Sequence, residues 1–478
     1  MTAPKTTEKI HVEFPGRIVM VGCGSIGQGV LPLILRHIGI AKERINIIAA
    51  DERGRVAADS VGVKFIKQAL TPDNHRSVLE PLLGRGDFLL NVSVDVSSIA
   101  LIRFCWERGA MYLDTCIEPW PGGYTDPSIP HSRRTNYALR EAAMALRKEA
   151  NDKTPTTIIT HGANPGLVSH FIKQALVNIA ADLGVQTQIP GTRAGWAVLA
   201  QSLGIKTIHI AERDTQNAVK PKMVDEFVNT WSVDGFVSEG MQPAELGWGT
   251  NERNFPVDGR RHDFGSGAGI FLMQPGAATR VRTWTPKAGH IHGFLITHSE
   301  AISTADFYTV MDQNKVAYRP TCHYSYHPCD SAVVSLHEFV GKNYHLQSKQ
   351  RILMDEILDG IDELGVLLAG HKRNAYWYGS QLSIDEARKL APFNNATSLQ
   401  VTAACLSGMV SAMENPHRGL LEPEDLDFGR NLEICKPYLG PVVGKYTDWT
   451  PLHDRERLFP EDLDKSDPWQ FKNVRVVG

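Results

Sequence analysis

Residues 17–39 read RIVMVGCGSIGQGVLPLILRHIG and predict the first unit of the fold. An apolar run rich in β-branched residues leads into a glycine-rich turn, and an apolar pattern with helical spacing follows. Further apolar strands are predicted at 45–50, 88–94, 111–116 and 156–160, with helical stretches between them. Strands that alternate with helices predict an α/β fold built on a doubly wound, parallel sheet.

The turn itself has the spacing G-x-G-x-x-G, formed by Gly22, Gly24 and Gly27, with Ser25 and Ile26 inside the pattern. The first glycine permits a tight turn, the second lets the backbone approach a pyrophosphate, and the third allows close packing of the helix. The helix N-terminus then offers N–H donors and a positive dipole to the phosphates. This context predicts a Rossmann-type dinucleotide site, whereas the bare motif would also fit a purely structural turn.

Asp51 ends the next predicted strand, at about the 20-residue interval expected for the acid that binds a ribose 2′-hydroxyl. This residue favours NAD. Arg53 lies close by and leaves NADP open, because an arginine at this place accommodates the 2′-phosphate.

Ligands of such sheets bind beyond the carboxyl ends of the strands. Polar or small residues that follow these ends are therefore predicted to surround the nicotinamide: Asn91, Ser93, Asp95, Asp114, Thr115, Glu118, Gly162, Ala163 and Asn164. For Asp95 and Asp114, capping of the next helix is an equally simple explanation.

The alternation changes from about residue 166. We predict a nucleotide-binding domain formed by residues 1–165 and about 385–450, a second α/β domain at 166–384, and a C-terminal arm at 451–478. The arm is charged and carries scattered aromatic residues, so that it is expected to pack on its own core or on a partner subunit.

Composition excludes several classes of protein. The formal net charge of -3 provides no basic field for nucleic acid or an anionic membrane. The N-terminus is polar and lacks the apolar centre of a signal peptide, and no membrane span is expected, so that we predict a cytoplasmic protein. Seven scattered cysteines fit reduced thiols better than a disulfide framework.

Acidic side chains stand where a carboxylate clamp of arginines would be expected in an enzyme of amino or hydroxy acids. Glu118, Glu212 and Glu239 are suited to hold ammonium groups, and Trp231 is a candidate cation–π platform. The predicted ligand is a cation with apolar methylenes, although an isolated tryptophan is often only a packing residue.

Several histidine residues also have more than one possible role. The pairs Cys322-His323 and His327-Pro328-Cys329 resemble a metal cluster superficially, but no C-x-x-C pair or H-E-x-x-H spacing is present, and we expect no metal. His298, close to Glu300, is interpreted as a proton carrier or as a polar wall of a substrate pocket. An ordinary hydrogen-bonded core histidine is the alternative.

Segments distributed over nearly the whole chain resemble the bacterial homospermidine synthase family: VGCGSIGQGVLPL, NVSVDVSS, YLDTCIEPW, HGANPGLVSHF, WSVDGFVSEG, HGFLITHSEAIS and HPCDSAVVSLHE. That family is similar to the saccharopine dehydrogenase-like proteins. The resemblance implies a homodimer, a substrate-binding and dimerisation role for 166–384, and NAD that is retained through the reaction cycle.

The resemblance also implies a reaction. One putrescine loses a hydride to become an imine, a second putrescine attacks it, ammonia leaves, and the hydride returns to give homospermidine; spermidine is an alternative donor. Asn164 and His298 would position the reacting nitrogen or carry its proton, and acids would hold the distal amine, together with Trp231. The acids are Asp95, Asp114, Glu118, Glu212 and Glu239. Alternative functions are an oxidoreductase like saccharopine dehydrogenase or carboxynorspermidine dehydrogenase, using NAD or NADP, and a non-catalytic NAD-binding regulator.

Overall fold

The computed structural model describes residues 9–185 and 188–476. A seven-stranded sheet contains the glycine-rich turn, and all its strands are parallel. Its strand order is Leu420–Leu421, Thr157–Ile158, Met111–Asp114, Phe88–Asn91, Ile18–Val21, Ile45–Ala49 and Lys64–Lys67. Six of these strands have the Rossmann order, which reverses beside the first strand. The predicted fold class is confirmed.

Helices cover both faces of this sheet. Local capping explains where several begin: the Ser97 hydroxyl accepts a hydrogen bond from the Ala100 N–H (3.3 Å), and the Thr135 hydroxyl accepts one from the Ala138 N–H (3.1 Å). The helices are Ser25–His37, Arg55–Val61, His75–Leu79, Ser98–Arg108 and Asn136–Arg147, with short 3₁₀ turns at Lys42–Arg44 and His131–Arg133.

A second, eleven-stranded sheet is mixed. Its centre is the parallel pair Thr207–Asp214 and Thr321–His327, and antiparallel strands extend it on both sides. The main path runs Gly259–Arg261, Gly269–Pro275, Pro243–Gly247, Thr321–His327, Thr207–Asp214, Ile361–His371, Asn374–Ser383 and Val442–Thr447, and a branch holds Gly289–Phe294, Arg280–Thr285 and Arg475–Val476.

Smaller elements complete the chain. The remaining helices are Leu167–Asp182, Arg193–Leu203, Val233–Met241, Ser299–Phe307, Asp330–Gly341, Ile384–Leu390, Ala396–Glu414, Phe428–Cys435 and Phe471–Val474, with 3₁₀ turns at Gly276–Ala278, Pro423–Asp425 and Lys436–Tyr438. In the described residues, four strand pairs lie outside the two sheets: Val12–Glu13 with Ile38–Gly39, Asn217–Ala218 with Ile357–Asp359, Glu226–Asn229 with Lys349–Ile352, and Val310–Asp312 with Lys315–Tyr318.

The helix Ala396–Glu414 packs along the first helix, Ser25–His37. Its start is fixed by a capping box between Asn395 and Ser398. Within the described part of the chain, it is the one helix whose length and composition would suffice to cross a membrane, but 94% of its apolar window is buried in protein. Its apolar surface is therefore accounted for by the core between the two sheets.

The segment after this helix contributes one strand to each of the two sheets. Leu420–Leu421 adds the seventh strand to the Rossmann sheet, whereas Val442–Thr447 pairs with Asn374–Ser383 at the edge of the larger sheet. The predicted return of 385–450 to the nucleotide domain is thus wrong for its last strand, because antiparallel pairing with the larger sheet is available there. In the arm, Trp469 and Phe471 are buried against the same sheet, while Phe459 is exposed.

Candidate functional site

A cavity of about 350 Å³ lies between the carboxyl ends of the Rossmann strands and the larger sheet. The chain leaves each parallel strand at this edge, so that the glycine turn and the residues after the other strands converge here. Predicted site residues that line the cavity are Gly22, Gly24, Ser25, Ile26, Asp51, Ser93, Asp95, Thr115, Glu118, Gly162, Ala163, Asn164, Glu212, Trp231, Glu239 and His298.

The glycine turn leaves space for a phosphate group. Gly22 has φ +96°, and a Cβ there would lie 2.6 Å from the Val92 carbonyl oxygen. A Cβ on Gly24 would meet nothing within 4 Å, on the side that lines the cavity. Gly24 is also the N-cap of Ser25–His37 and offers no side-chain cap, so that the first N–H groups of the helix are available to an anion. These features fit the pyrophosphate of a dinucleotide.

Asp51 stands where an adenosine ribose would lie. Its carboxylate accepts hydrogen bonds from the Arg53 backbone N–H (2.9 Å) and from Arg53 Nε (2.8 Å). These hydrogen bonds hold the pKa of Asp51 below its ordinary value, and the carboxylate stays charged. A negative charge at this place repels a 2′-phosphate, and the guanidinium that would bind one is already paired. The geometry favours NAD over NADP.

Replacing Asp51 with Ala should weaken the binding of NAD about tenfold, because hydrogen bonds from the ribose to a charged group are worth about 1.5–3 kcal/mol. Calorimetric titration of the purified variant with NAD measures this loss. Asp59→Ala, which removes an exposed carboxylate from the same domain, is the matched control and should bind NAD like the wild type. Equal affinities of the two variants would remove Asp51 from the ribose site.

Glu212 is the deepest acid of the cavity and is fully enclosed by the protein. Its Oε2 atom accepts hydrogen bonds from Asn164 Nδ2 (2.7 Å) and from the Tyr324 hydroxyl (2.5 Å). Asn164 belongs to the loop after a Rossmann strand, whereas Glu212 and Tyr324 lie on the two parallel strands of the larger sheet. The two sheets therefore meet at this carboxylate.

Two more carboxylates lie on the same face of the larger sheet. Asp214 is two residues after Glu212 on one strand, and Asp362 is the partner of Asp214 on the next. Burial raises the pKa of Glu212 to about 7, and burial together with the charges of Glu212 and Asp214 raises the pKa of Asp362 well above its ordinary value. Such a group retains protons at neutral pH and prefers a cation beside it.

His298 lies between two acids. Its Nε2 is 2.9 Å from a Glu239 carboxylate oxygen, and its Nδ1 is 3.2 Å from a Glu300 oxygen. Burial alone would lower the pKa of His298, but the two carboxylates raise it well above 6.5. The imidazole is therefore protonated at neutral pH, and its ring lies 4.5 Å from the Tyr324 ring between centroids. His298 therefore has two acidic partners and lines the cavity.

Glu118 and Asp95 provide acids on the Rossmann side of the cavity. Burial raises the pKa of Glu118 to about 8, although Glu118 Oε2 accepts a hydrogen bond from the Asp95 N–H (3.4 Å). Burial also raises the pKa of Asp95. Both groups gain from a bound cation, because a positive charge stabilises the ionised form of a buried acid.

Trp231 lines the cavity with part of its indole still accessible. Its Nε1 donates to the Tyr326 hydroxyl (3.1 Å), and its ring packs against Phe236 at 5.2 Å between centroids. The orientation of the indole is thus fixed by neighbours while it remains part of the cavity wall. A fixed aromatic face beside several acids is suited to an ammonium group.

Three predicted residues lie outside the lining: Asp114 and Asn91, which differ here from the expectation that they surround the nicotinamide, and Gly27, whose expected role is close packing of the helix. Asp114 is fully buried and accepts hydrogen bonds from the Tyr112 hydroxyl (2.8 Å) and the Thr160 N–H (2.7 Å), so that it fixes the end of a neighbouring strand behind the cavity wall. Asn91 accepts a hydrogen bond from the Ser93 hydroxyl (2.6 Å) and so fixes the side chain of Ser93, which lines the cavity. Gly27 packs against the turn: a Cβ there would lie 2.7 Å from the Gly22 carbonyl oxygen.

Several lining residues were missed by the sequence reasoning: Cys23, Asp234, Tyr324, Thr397 and Val401. Tyr324 could have been found from strand alternation, which directs Cys322, Tyr324 and Tyr326 to one face and the intervening residues to the other. The last two come from the helix Ala396–Glu414, and no local pattern connects them with the glycine turn.

The other histidine and cysteine residues form no metal site: in residues 9–185 and 188–476, no group of three or more His, Cys, Asp or Glu side chains is arranged to hold an ion. His323 and Cys322 point to opposite faces of their strand. All seven cysteines are free thiols.

The Rossmann sheet, the glycine turn and the mixed second sheet define a dinucleotide-dependent enzyme of the saccharopine dehydrogenase type. Family models named saccharopine dehydrogenase NADP binding domain and saccharopine dehydrogenase C-terminal domain match residues 18–158 and 162–447. Within this class, the chain belongs to the homospermidine synthase family, which confirms the resemblance seen in the sequence.

The evidence for the family covers nearly all of the chain. Homospermidine synthase of Blastochloris viridis is 58% identical over 98% of both chains, and that of Mesorhizobium japonicum is 53% identical over 98% of both. A crystal structure of homospermidine synthase from Legionella pneumophila in complex with NAD is 49% identical, covers 98% of this chain and 99% of its own, and superposes with a TM-score of 0.92.

Proposed function

We propose that this enzyme makes homospermidine and ammonia from two molecules of putrescine, or uses spermidine as the aminobutyl donor, with NAD as a retained cofactor. The observation that carries the proposal is the juxtaposition of a dinucleotide cradle with a cavity rich in acids. Among the described residues that line this cavity, Arg53 is the only arginine or lysine, and it lies at the adenosine end. A carboxylate substrate would find no clamp beside the nicotinamide, whereas a diamine finds acids and an aromatic face.

The chain's own residues hold the diamine and manage its protons. Glu212 and Asn164 are placed to bind the nitrogen at the deep end, and Glu118 and Asp95 to hold the distal ammonium, which Trp231 faces. NAD, when bound to the glycine turn, accepts a hydride from the carbon that carries the reacting nitrogen and returns it after the exchange of amines. The enclosing walls keep water from an imine that it would otherwise hydrolyse.

His298 is proposed as the proton carrier. The amine nitrogen must be neutral before the carbon that carries it can lose a hydride, although a free alkylammonium titrates near the lysine reference of about 10.4. The imidazole, paired with Glu239 and Glu300, is placed to exchange a proton with the attacking and leaving amines.

The decisive experiment incubates the purified enzyme with excess putrescine and a trace of NAD⁺, and follows products by mass spectrometry and NADH by absorbance. Homospermidine should accumulate in large excess over the nucleotide, with little lasting NADH. A simple dehydrogenase would instead accumulate NADH in proportion to product. Nucleotide binding without turnover of any amine would favour a regulator and exclude the proposal.

Replacing Trp231 with Ala should lower kcat/KM for putrescine about tenfold, because a cation over an indole face gains about 0.5–2 kcal/mol. Trp231→Phe retains an aromatic face and should lose less. Steady-state assays of product measure both. Trp284→Ala, which changes a partly buried tryptophan in the separate cluster with Trp377, is the control and should leave kcat/KM near the wild-type value. If both alanine variants lose equally, Trp231 acts through packing alone.

The activity should rise with pH through the range of the cavity acids. Glu212 and Glu118, with pKa values raised to about 7 and about 8, become charged only as the pH rises through these values, so that the ammonium groups are bound weakly below them. kcat/KM for putrescine should therefore fall on the acid side of pH 8. In Glu118→Gln, the inflection of this limb should move to lower pH. An acid limb that Glu118→Gln leaves in place would show that another group controls it.

The quaternary structure and location follow the family resemblance. We propose that the enzyme is a homodimer and acts in the cytoplasm. Sedimentation equilibrium tests the first statement, and localisation of the tagged protein by cell fractionation tests the second.

A further inference from the structure

Glu245 is a buried carboxylate that lies outside the lining of the cavity. Its Oε2 atom accepts hydrogen bonds from the Asn136 N–H (2.7 Å) and the Thr297 hydroxyl (2.6 Å), and its Oε1 atom accepts one from the Tyr137 N–H (3.1 Å). Asn136 Nδ2 donates to the same hydroxyl of Thr297 (3.1 Å). Three hydrogen bonds thus converge on the Glu245 carboxylate and a fourth joins Asn136 to Thr297, and all of these residues are buried.

The partners of Glu245 come from both parts of the molecule. Asn136 and Tyr137 begin the helix that connects two strands of the Rossmann sheet. Thr297 belongs to the larger-sheet domain and directly precedes His298, which begins the helix Ser299–Phe307. The carboxylate therefore ties the start of a Rossmann helix to the residue beside the proposed proton carrier.

The strand that carries Glu245 is also close in sequence to Glu239. Pro243–Gly247 comes directly after the helix Val233–Met241, which carries Glu239. Glu239 and His298, whose side chains are 2.9 Å apart, are thus both within a few residues of the Glu245 connection.

The far end of the helix Ser299–Phe307 is also fixed to the Rossmann helix. Asp306 accepts a hydrogen bond from Arg140 (2.9 Å), and Arg140 in turn donates to Glu422 (2.6 and 2.8 Å). The helix that begins at His298 is held at both ends, so that loss of the first connection leaves it anchored by the second. A variant that lacks the first connection is therefore expected to fold.

We propose that Glu245 and Thr297, with the N–H groups of Asn136 and Tyr137, form an interdomain latch that positions His298 for the reaction. The proposal rests on the proposed function for the role of His298. Glu245 and Thr297 are positioning residues, because neither lines the cavity. A carboxylate suits the latch because it accepts hydrogen bonds at both oxygens; an amide would turn N–H donors toward a site that supplies only donors.

The test uses Thr297→Val, which keeps the shape of the side chain and removes its hydroxyl, and Thr297→Ser, which retains the hydroxyl. A misplacement of a catalytic group by about 1 Å costs up to a hundredfold in rate, and we expect Thr297→Val to lose about tenfold in kcat for putrescine. Thr297→Ser should remain within about twofold of the wild type, and both should bind NAD with unchanged affinity. A structural role alone would not separate kcat from NAD affinity in this way.

Thr283→Val is the matched control, because it removes a buried threonine hydroxyl that contacts His209 elsewhere in the larger-sheet domain. It should lower the melting temperature as Thr297→Val does, with kcat unchanged. Wild-type kcat in Thr297→Val, or equal losses in Thr283→Val, would overturn the latch.

A second measurement does not depend on turnover. The titration of His298, followed by NMR of ring-¹⁵N-labelled enzyme and assigned with His298→Gln, should shift in Thr297→Val and stay unchanged in Thr283→Val. If the wild type made no homospermidine, the proposed function would fail, and this titration would still decide on the latch. An unshifted titration in Thr297→Val would overturn it.

Discussion

Replacing Glu212 with Gln should lower kcat/KM for putrescine about 10²–10³-fold, because an ammonium buried without its charged partner costs about 3–5 kcal/mol. The amide retains the size of the side chain and its contact with the Tyr324 hydroxyl, so that the loss reports the charge. Product formation measured by mass spectrometry over a range of putrescine concentrations gives kcat/KM directly.

Glu363→Gln provides the matched control for this experiment. Glu363 is equally buried and lies on the neighbouring strand, where its oxygens accept hydrogen bonds from the Lys287 N–H and the Gln381 side chain. This variant should keep wild-type kinetics, and Glu212→Gln should keep its affinity for NAD. Comparable losses in both variants would show that Glu212 contributes through the fold alone.

Replacing His298 with Gln should lower kcat about 10²–10⁴-fold, the usual contribution of a positioned acid or base. Glutamine retains a polar group beside Glu239 but carries no exchangeable proton of suitable pKa. Substrate binding should change much less, because the acids that hold the distal ammonium remain. A split between a large loss of kcat and a small change of KM is therefore the expected pattern.

The control for His298 is His327→Gln. His327 is a partly buried histidine of the same domain, and its Nδ1 contacts the carbonyl oxygen of Pro328. Its kinetics should match the wild type. Retention of wild-type kcat by His298→Gln would exclude His298 as proton carrier and leave water or Glu212 in that role.

The nucleotide half of the site could be predicted from sequence because its signals are local. The glycines, the strand before them and Asp51 lie within 35 residues of the start of that strand, and parallel strands bring the later loops to the same edge. The strands of the second domain are harder to predict from the sequence. Its antiparallel strands come from distant parts of the chain, and the residues alone indicate only a cation ligand, through Glu212, Glu239 and Trp231.

The places where the structure differs from the expectation depend on contacts between distant segments of the chain. Asp114 and Asp95 both lie at or after strand ends. The sequence does not show that the Asp114 carboxylate accepts hydrogen bonds from Tyr112 and Thr160, whereas Asp95 lines the cavity. Tyr324 reaches the cavity because its strand pairs with the strand of Glu212, and this pairing of distant segments leaves no local signal in the sequence. The pairing of Val442–Thr447 with the larger sheet depends on strands more than fifty residues earlier, which no local periodicity reveals.

The late position of the helix Ala396–Glu414 has a consequence for biosynthesis. This helix covers the first one, Ser25–His37, and the strand Leu420–Leu421 closes the edge of the Rossmann sheet. A nascent chain on the ribosome therefore exposes the apolar surface of its first helix until more than four-fifths of the polypeptide has been translated. At about 5–20 residues per second this exposure lasts tens of seconds, and an exposed apolar surface favours association with other unfinished chains during that time.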